Sequence, residues 1–516
     1  MTSVSETIKI AVKQHKAGRL KQAAELYYQI LQADPHHSGA LHLLGLISHQ
    51  VGKHQEAIDL IDKAIARNPE VPQFHNNIGV SFEALGNKEQ SVRSYMQALQ
   101  LRPDYPEACN NLGKVLTDLG RTKEAIKYCI RALRLKPDFP EACNNLGNAL
   151  QRQGKTKEAI RYYNQALRLK PDYPAAYNNL GNVLQQSGLL HEAIQAYDHT
   201  IRLEPNHTMA HVNQGICHLL MGNFEDGWNK YEWRCKYPSD WFRWDGSAFE
   251  GKRLLVQDEQ GFGDSIQFLR YLPMVKTRGG TLIFETKGPL ISLLRGFPGI
   301  DKLIERRHNG RPAVEFDLHI HLLSVPRIFG TTLQTIPSEA PYLFADREKV
   351  GRWGARLKKG GFKVGIAWAG SPTHHNDRNR SCCLAQFRPL AEVPNVQLYG
   401  LQKGEAALQV EHLPGNLMIE DLGPDIKDFS DVAGIIENLD LIVSVDTALA
   451  HLAGAMGKSV WTLLPYAPDW RWLLDREDSP WYPTMRLFRQ KKPGNWDSVL
   501  QRVANELDSL VNTPVC

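Results

Sequence analysis

The chain has 516 residues, of which 42% are hydrophobic and 23% charged, with a formal net charge of +5. That length exceeds one compact core and predicts two or three domains. A net charge this small lends no support to nucleic acid as a partner, which calls for a concentrated basic face.

The opening segment MTSVSETIKIAVKQHKAGRL has no apolar core of the kind a secretory signal needs. No stretch approaches the roughly 20 apolar residues that span a membrane. The eight cysteines (109, 129, 143, 217, 235, 382, 383 and 516) form no CxxC pair and no zinc spacing. Reduced thiols in a cytoplasmic protein are the expectation.

From the start to about residue 236 one unit is repeated. Gly18, Gly52, Gly86, Gly120, Gly154, Gly188 and Gly222 lie 34 residues apart, as do Gly45, Gly79, Gly113, Gly147, Gly181 and Gly215. Pro35, Pro69, Pro103, Pro137, Pro171 and Pro205 keep the same interval. Ala23, Ala57, Ala125, Ala159 and Ala193 hold one phase, with Tyr27, Tyr163 and Tyr197 four residues after the alanine in three units. Alanine and aromatic four apart share a helix face and fill a seam. One glycine set permits close helix approach, the other ends a helix, and the proline stops the second helix. The pattern resembles the tetratricopeptide repeat, in six full units and a seventh whose second half, FEDGWNKYEWRCKY, drifts. Such units stack into a right-handed superhelix with a concave groove, expected here over residues 1–237. They also offer a surface for homo-oligomerisation.

Asn77, Asn111, Asn145, Asn179 and Asn213 share the 34-residue interval, which packing does not require. An amide has two donors and two acceptor lone pairs, so a line of them suits the peptide bonds of an extended chain. The alternative is inherited copies of one ancestral unit facing solvent. The runs NNLGKVL, NNLGNAL and NNLGNVLQQSG resemble the repeats of O-GlcNAc transferase, and that resemblance implies a protein or peptide acceptor in the groove.

Beyond Tyr237 the period changes. Apolar runs at 254–257, 281–284, 363–368, 396–401, 439–445 and 459–464 read as buried parallel strands with helices between them. Residues 238–345 and 361–512 then form two Rossmann-like lobes, with PYLFADREKVGRWGARLKKGGFK as the linker. The expected fold is multidomain: an all-α superhelix followed by an α/β pair of lobes of the GT-B type.

Each lobe carries one motif. Strand LLVQ runs into DEQGFGDSIQFLRYLP, with Asp264 at a helix entrance; strand LIVSV runs into DTALAHLAGAMGKSVW, with Asp446, Thr447 and Ala448 at a helix start and His451 one turn on. Both resemble the heptosyltransferase-type family 9 glycosyltransferases, although those carry no repeats, and the catalytic domain of O-GlcNAc transferase is not matched motif for motif. The resemblance implies Asp264 as catalytic base and Asp446, Thr447, Ala448 and His451 as donor-binding residues. Sugar transfer needs a base for the acceptor hydroxyl and positive charge for the departing diphosphate. No Asp-x-Asp occurs, so no metal is expected and cations take that role: Arg378 and Arg380 in AGSPTHHNDRNRS, and Lys403 after VQLYGL. The nucleotide sugar is a co-substrate, and no cofactor is expected.

Plainer roles stand beside these. Asp264 and Asp446 suit helix caps. His374 and His375 suit an ordinary loop. WTLLPYAPDWRWLLDREDSPWYP reads as packing of the last lobe or as an aromatic wall for sugar or base. Asp425, Asp428 and Asp431 read as a solvated helix start, and Glu259 is the next candidate base. The expected function is glycosyl transfer to a protein; the rivals are transfer to a glycan or lipid-linked acceptor, and an inactive scaffold.

Overall fold

The structure is a computed structural model that describes residues 4–235, 237–307, 311–374, 376–413 and 418–512. His375 and Cys516 lie outside the described residues; the seven described cysteines are free. The chain divides into two units, Met1–Asn206 and His207–Cys516.

The first unit is six helix pairs, from Val4–Lys16 and Leu20–Ala33 to Pro174–Gln186 and Leu190–Leu203. The two glycine sets do different work. A Cβ on Gly79 would lie 2.7 Å from the Tyr95 ring, so this glycine admits the neighbouring helix. Gly86 has open space but a φ of +79°, which a side chain disfavours; it turns the chain after the first helix. Ala23, Tyr27, Ala159 and Tyr163 are fully buried in the seams. Four first helices begin with a second proline set, Pro72, Pro106, Pro140 and Pro174. There the missing N–H belongs to no helical bond.

The second unit begins with the seventh helix pair, Thr208–Leu220 and Phe224–Tyr231. The chain therefore divides at 206/207, one repeat before the sequence-predicted boundary at 237. The drift in FEDGWNKYEWRCKY has a packing cause. Trp228 meets Trp470 edge-on at 5.2 Å and donates its indole N–H to the Thr331 carbonyl at 3.0 Å. Phe224 stacks on Trp481 at 6.2 Å. Residues that would have faced a further repeat are apolar here because they wedge into the α/β lobes.

The first lobe is a four-stranded parallel sheet of β1 (Arg253–Gln257), β2 (Thr281–Thr286), β3 (Lys302–Glu305) and β4 (Leu318–His321), in the order β3-β2-β1-β4. The second is a six-stranded parallel sheet of β5 (Phe362–Ala367), β6 (Val396–Gly400), β7 (Ile419–Asp421), β8 (Leu441–Val445), β9 (Val460–Leu464) and β10 (Met485–Arg489), in the order β10-β9-β8-β5-β6-β7. Strand order reverses between β1 and β4 in one lobe and between β8 and β5 in the other. Ligand crevices in open α/β sheets form at such switch points, beyond the strand C-termini.

The sequence-predicted linker contains a helix, Arg347–Arg356, capped by Asp346. It docks on the helix Phe429–Glu437 through buried Trp353 and through Lys349, which lies 3.0 Å from both Asp428 and Asp431. The solvated reading is thus corrected for Asp428 and Asp431, while Asp425 is exposed. Asp431 is buried and also paired with Arg352, and Asp428 caps the helix by accepting from Ser430 and Asp431. Hydrogen bonds and the Lys349 charge hold both carboxyls below the usual range despite burial. Among the described residues, no helix is long and apolar enough to cross a membrane.

Candidate functional site

The two motifs meet. β1 ends at Gln257, and the turn that follows enters the helix Phe262–Phe268. Gly263 sits against the His451 imidazole, so closely that an added Cβ would lie 2.7 Å from Cδ2. His451 belongs to the helix Ala448–Ala455 after β8. Phe262 and Phe429 face each other across the same gap, ring centres 5.0 Å apart.

Asp264 occupies the third position of its helix and accepts from the Gly261 N–H at 2.7 Å, closing the N-terminus. Its other oxygen is ion-paired with the Arg471 guanidinium. Cap and charged group are thus one side chain. Burial pushes this carboxyl above the usual carboxylate range while Arg471 pulls it back. The rival base Glu259 is held by Arg234 at 2.6 Å.

Asp446 follows β8 and is almost wholly buried. Burial raises its carboxyl to about 6, with Asp469 pushing the same way and Trp472, Arg380 and Arg471 opposing. His451 Nε2 lies 3.8 Å from Asp446, and His451 Nδ1 is 3.0 Å from the Tyr482 hydroxyl. Its ring stacks on Trp472, and burial keeps the imidazole neutral at ordinary pH. Thr447 precedes the helix without capping it, because its hydroxyl pairs with Ser444 at 2.9 Å. The first amides, from Ala448 on, are left to attract an anion.

The cations named from sequence separate. Arg380 donates to the Asp446 carbonyl at 3.3 Å and lies over Gly370, where a Cβ would collide with its guanidinium. Arg378, two residues away, is exposed. Lys403 donates to the Gly423 and Ile426 carbonyls at 3.0 and 2.8 Å, which commits its ammonium to a loop.

Arg471 was missed. It sits on the turn Trp470–Trp472, inside the aromatic run that reads in sequence as packing or as a wall. Trp470, Trp472 and Trp481 are indeed buried. The available signal was a cation flanked by two tryptophans, which a purely packed run has no need of. A second missed arginine, Arg270, is buried and joins the lobes. It donates to the Trp481 carbonyl at 2.6 Å, to Pro337 at 3.0 Å and to the Tyr342 hydroxyl at 2.9 Å. Among the described residues, no group of three or more His, Cys, Asp or Glu side chains is arranged to hold a metal.

In the repeat array the asparagines bond to one another. Asn111, Asn145 and Asn179 donate to Asn76, Asn110 and Asn144 of the preceding unit at 3.2, 2.9 and 3.0 Å. Asn77 pairs with His42 at 2.9 Å, an imidazole that burial holds neutral, lowered to about 4. The accepting asparagines are buried; the 34-spaced set, including Asn213 in the second unit, is half-buried.

Residues 394–485 match the model of glycosyltransferase family 9 (heptosyltransferase), a span that includes Asp446, His451 and Arg471 but not Asp264. Residues 3–218 match that of the C-terminal tetratricopeptide domain of cilia and flagella-associated protein 70. Protein FlbA of Caulobacter vibrioides is 29% identical over 318 residues, 56% of this chain and 53% of that one. The chain thus spans about half the length of the curated relative it matches. A tetratricopeptide repeat protein from Parabacteroides merdae is 18% identical over 44% of this chain and 91% of its own, with a TM-score of 0.39. A chain of the APC/C hetero-tetramer Cut9-Hcn1 is also 18% identical, over 42% of each chain, with a TM-score of 0.40.

Proposed function

We propose that this chain, a tetratricopeptide-type array joined to a family 9 glycosyltransferase segment, transfers a sugar from a nucleotide-sugar donor to a protein acceptor bound by the repeats. One observation carries the reading: the Asp264 turn of one lobe and the Asp446–Thr447…His451 helix start of the other converge beyond the strand ends, with Arg471 paired to Asp264 and close to Asp446, and Arg380 on the Asp446 carbonyl. In this reading Asp264 takes the acceptor's proton as its oxygen attacks the anomeric carbon. The diphosphate leaves with the bonding electron pair, stabilised by the open helix amides and the guanidiniums. No metal takes part. Repeat arrays of this type present a groove to polypeptides, which supports a protein acceptor over a glycan or lipid-linked one.

Thermal stabilisation by a panel of nucleotide sugars tests the donor, and mass spectrometry of proteins modified in cells tests the acceptor. Stabilisation by one sugar nucleotide, with a mass increment on protein that survives EDTA, is expected. A strict need for divalent metal removes the metal-free assignment. Sugar found on glycan or lipid alone favours the rival acceptor class. No stabilisation by any donor leaves a scaffold.

A further inference from the structure

We propose that Arg471 is an exchangeable counter-ion for Asp264, holding that carboxylate in the donor-free protein and turning to the diphosphate when a nucleotide sugar binds. The proposal rests on the glycosyltransferase reading and adds to it a positioning residue and an order of events.

The Arg471 side chain is only 7% exposed, and its fork is shared between two carboxylates, Asp264 and, at 2.7 Å, Asp469. Its Nε is buried and has no hydrogen-bond acceptor among the described residues. Arg380 is in the same condition: its Nε is buried without an acceptor, and Asp377 lies at 3.6 Å. A guanidinium carries five donors, and leaving one buried and unmet is costly unless a ligand completes it. Two such forks lie beside Asp446, at the uncapped start of the helix Ala448–Ala455.

Charge points the same way. Asp264, Asp377, Asp446 and Asp469 set four carboxyl groups against the two guanidiniums, and burial holds His451 neutral. A diphosphate adds negative charge to a site already rich in carboxylates. It is accommodated when the guanidiniums turn to it. The backbone need not move, because Trp470 and Trp472 anchor the turn on either side of Arg471. Asp264 then loses its counter-ion while keeping the Gly261 N–H, and its affinity for a proton rises. The acceptor O–H bond breaks with its proton going to Asp264. The new O–C bond forms as the sugar–phosphate bond breaks, and the electron pair departs on the diphosphate held by Arg380 and Arg471. The base is therefore released only when a donor is in place.

Inorganic pyrophosphate is the probe, since it carries the diphosphate without base or sugar. By calorimetry on the full chain, Asp264→Asn should bind it about five-fold or more tightly than the parent, because an internal competitor is gone. Arg471→Gln should bind it at least about ten-fold more weakly, and Arg471→Lys should recover part of that loss. An ion pair that only fastens the lobes predicts unchanged or weaker binding by Asp264→Asn. Either result overturns the proposal, and Asp264→Asn decides alone if Arg471→Gln does not fold. A parent that binds neither pyrophosphate nor any nucleotide sugar removes the donor site itself, and the proposal with it.

Discussion

The repeat array and the α/β lobes both bury polar side chains and both leave some buried atoms unmet among the described residues, as at Tyr27 Oη, Arg102 Nε and Asn178 Oδ1 of the array, but the asparagine line of one and the arginine pair of the other are completed differently. In the array, Asn111, Asn145 and Asn179 each find an asparagine of the preceding unit. Around Asp264 and Asp446, two arginines keep a buried donor without an acceptor. A polar group satisfied by its own chain stabilises a scaffold; one left open at a cleft invites a ligand. Periodicity in the sequence reports the first kind of site, because packing repeats. It is silent on the second, which occurs once.

The largest effect should come from the open site. General-base catalysis contributes about 10²–10⁴-fold, so Asp264→Asn should lower the transfer rate by about that factor. Asparagine can still accept from Gly261, but it no longer pairs as an anion with Arg471. Transfer rate and melting temperature measured on one preparation separate the roles. Near-parental transfer by a folded variant moves the base elsewhere. A variant that merely unfolds leaves only the cap and the ion pair.

Gly263→Ala probes whether the two motifs must touch. Its Cβ would meet the His451 ring at 2.7 Å, and overpacking of this kind costs about 1–3 kcal/mol. The melting temperature of the His207–Cys516 unit should fall, and donor affinity with it, because His451 is displaced. A neutral alanine in both measurements would mean that the lobes yield at this contact.

These two sites also show how far the sequence could be read. β1, β2, β5, β6, β8 and β9 were all legible as apolar runs, and each lies inside its sheet. β3, β4, β7 and β10 were not, and each is an edge strand. Interior parallel strands are covered on both faces and read as continuous apolar runs; an edge strand such as KLIE or LHIH mixes polar residues into a short stretch. The Asp264 and Asp446 turns were legible because local chemistry fixes them: a glycine turn, a helix start, an apolar strand before each. Arg471 was not, because its partner Asp264 lies 207 positions away in the chain. Lys403 looked equivalent to Arg380 in sequence and is spent on loop carbonyls instead.

A smaller effect separates the sites by pH. Burial raises Asp446 from its ordinary 3.8 to about 6, so the folded protein holds this proton more tightly than the unfolded chain. That stabilisation is complete below 3.8 and is lost as pH rises through about 6. Its size is about 1–3 kcal/mol. Asp264 is shifted up as well, and Asp428 and Asp431 are shifted down and act in the opposite sense, so the pH profile of the parent alone does not isolate Asp446. The difference between parent and Asp446→Asn in denaturant midpoint does. It should shift against the parent between pH 4 and about 6.5 and then level off. A difference independent of pH would place the Asp446 carboxyl in the ordinary range.

The smallest effect per residue belongs to the array, and there the comparison is sharpest. Each asparagine bond contributes about 0.5–1.5 kcal/mol, so one Asn→Ala change should lower stability slightly. Asn111→Ala also strands the buried Asn76 oxygen it served. The bond to the preceding unit uses one of two amide donors and the Asn111 oxygen accepts from Asn110 at 3.5 Å, so the half-buried position leaves the second donor for another partner. Two sets of substitutions divide the roles. Asn111, Asn145 and Asn179 changed together remove both the inter-repeat bonds and the open amides. Asn110 and Asn144 changed together break inter-repeat bonds from the buried side and leave the open amides in place. If the array grips polypeptide through these amides, the first set should lower affinity for the modified protein several-fold, while the second lowers melting temperature alone. Equal acceptor affinity in both sets would assign the asparagines to holding the repeats together. The 34-residue interval would then be a mark of packing after all.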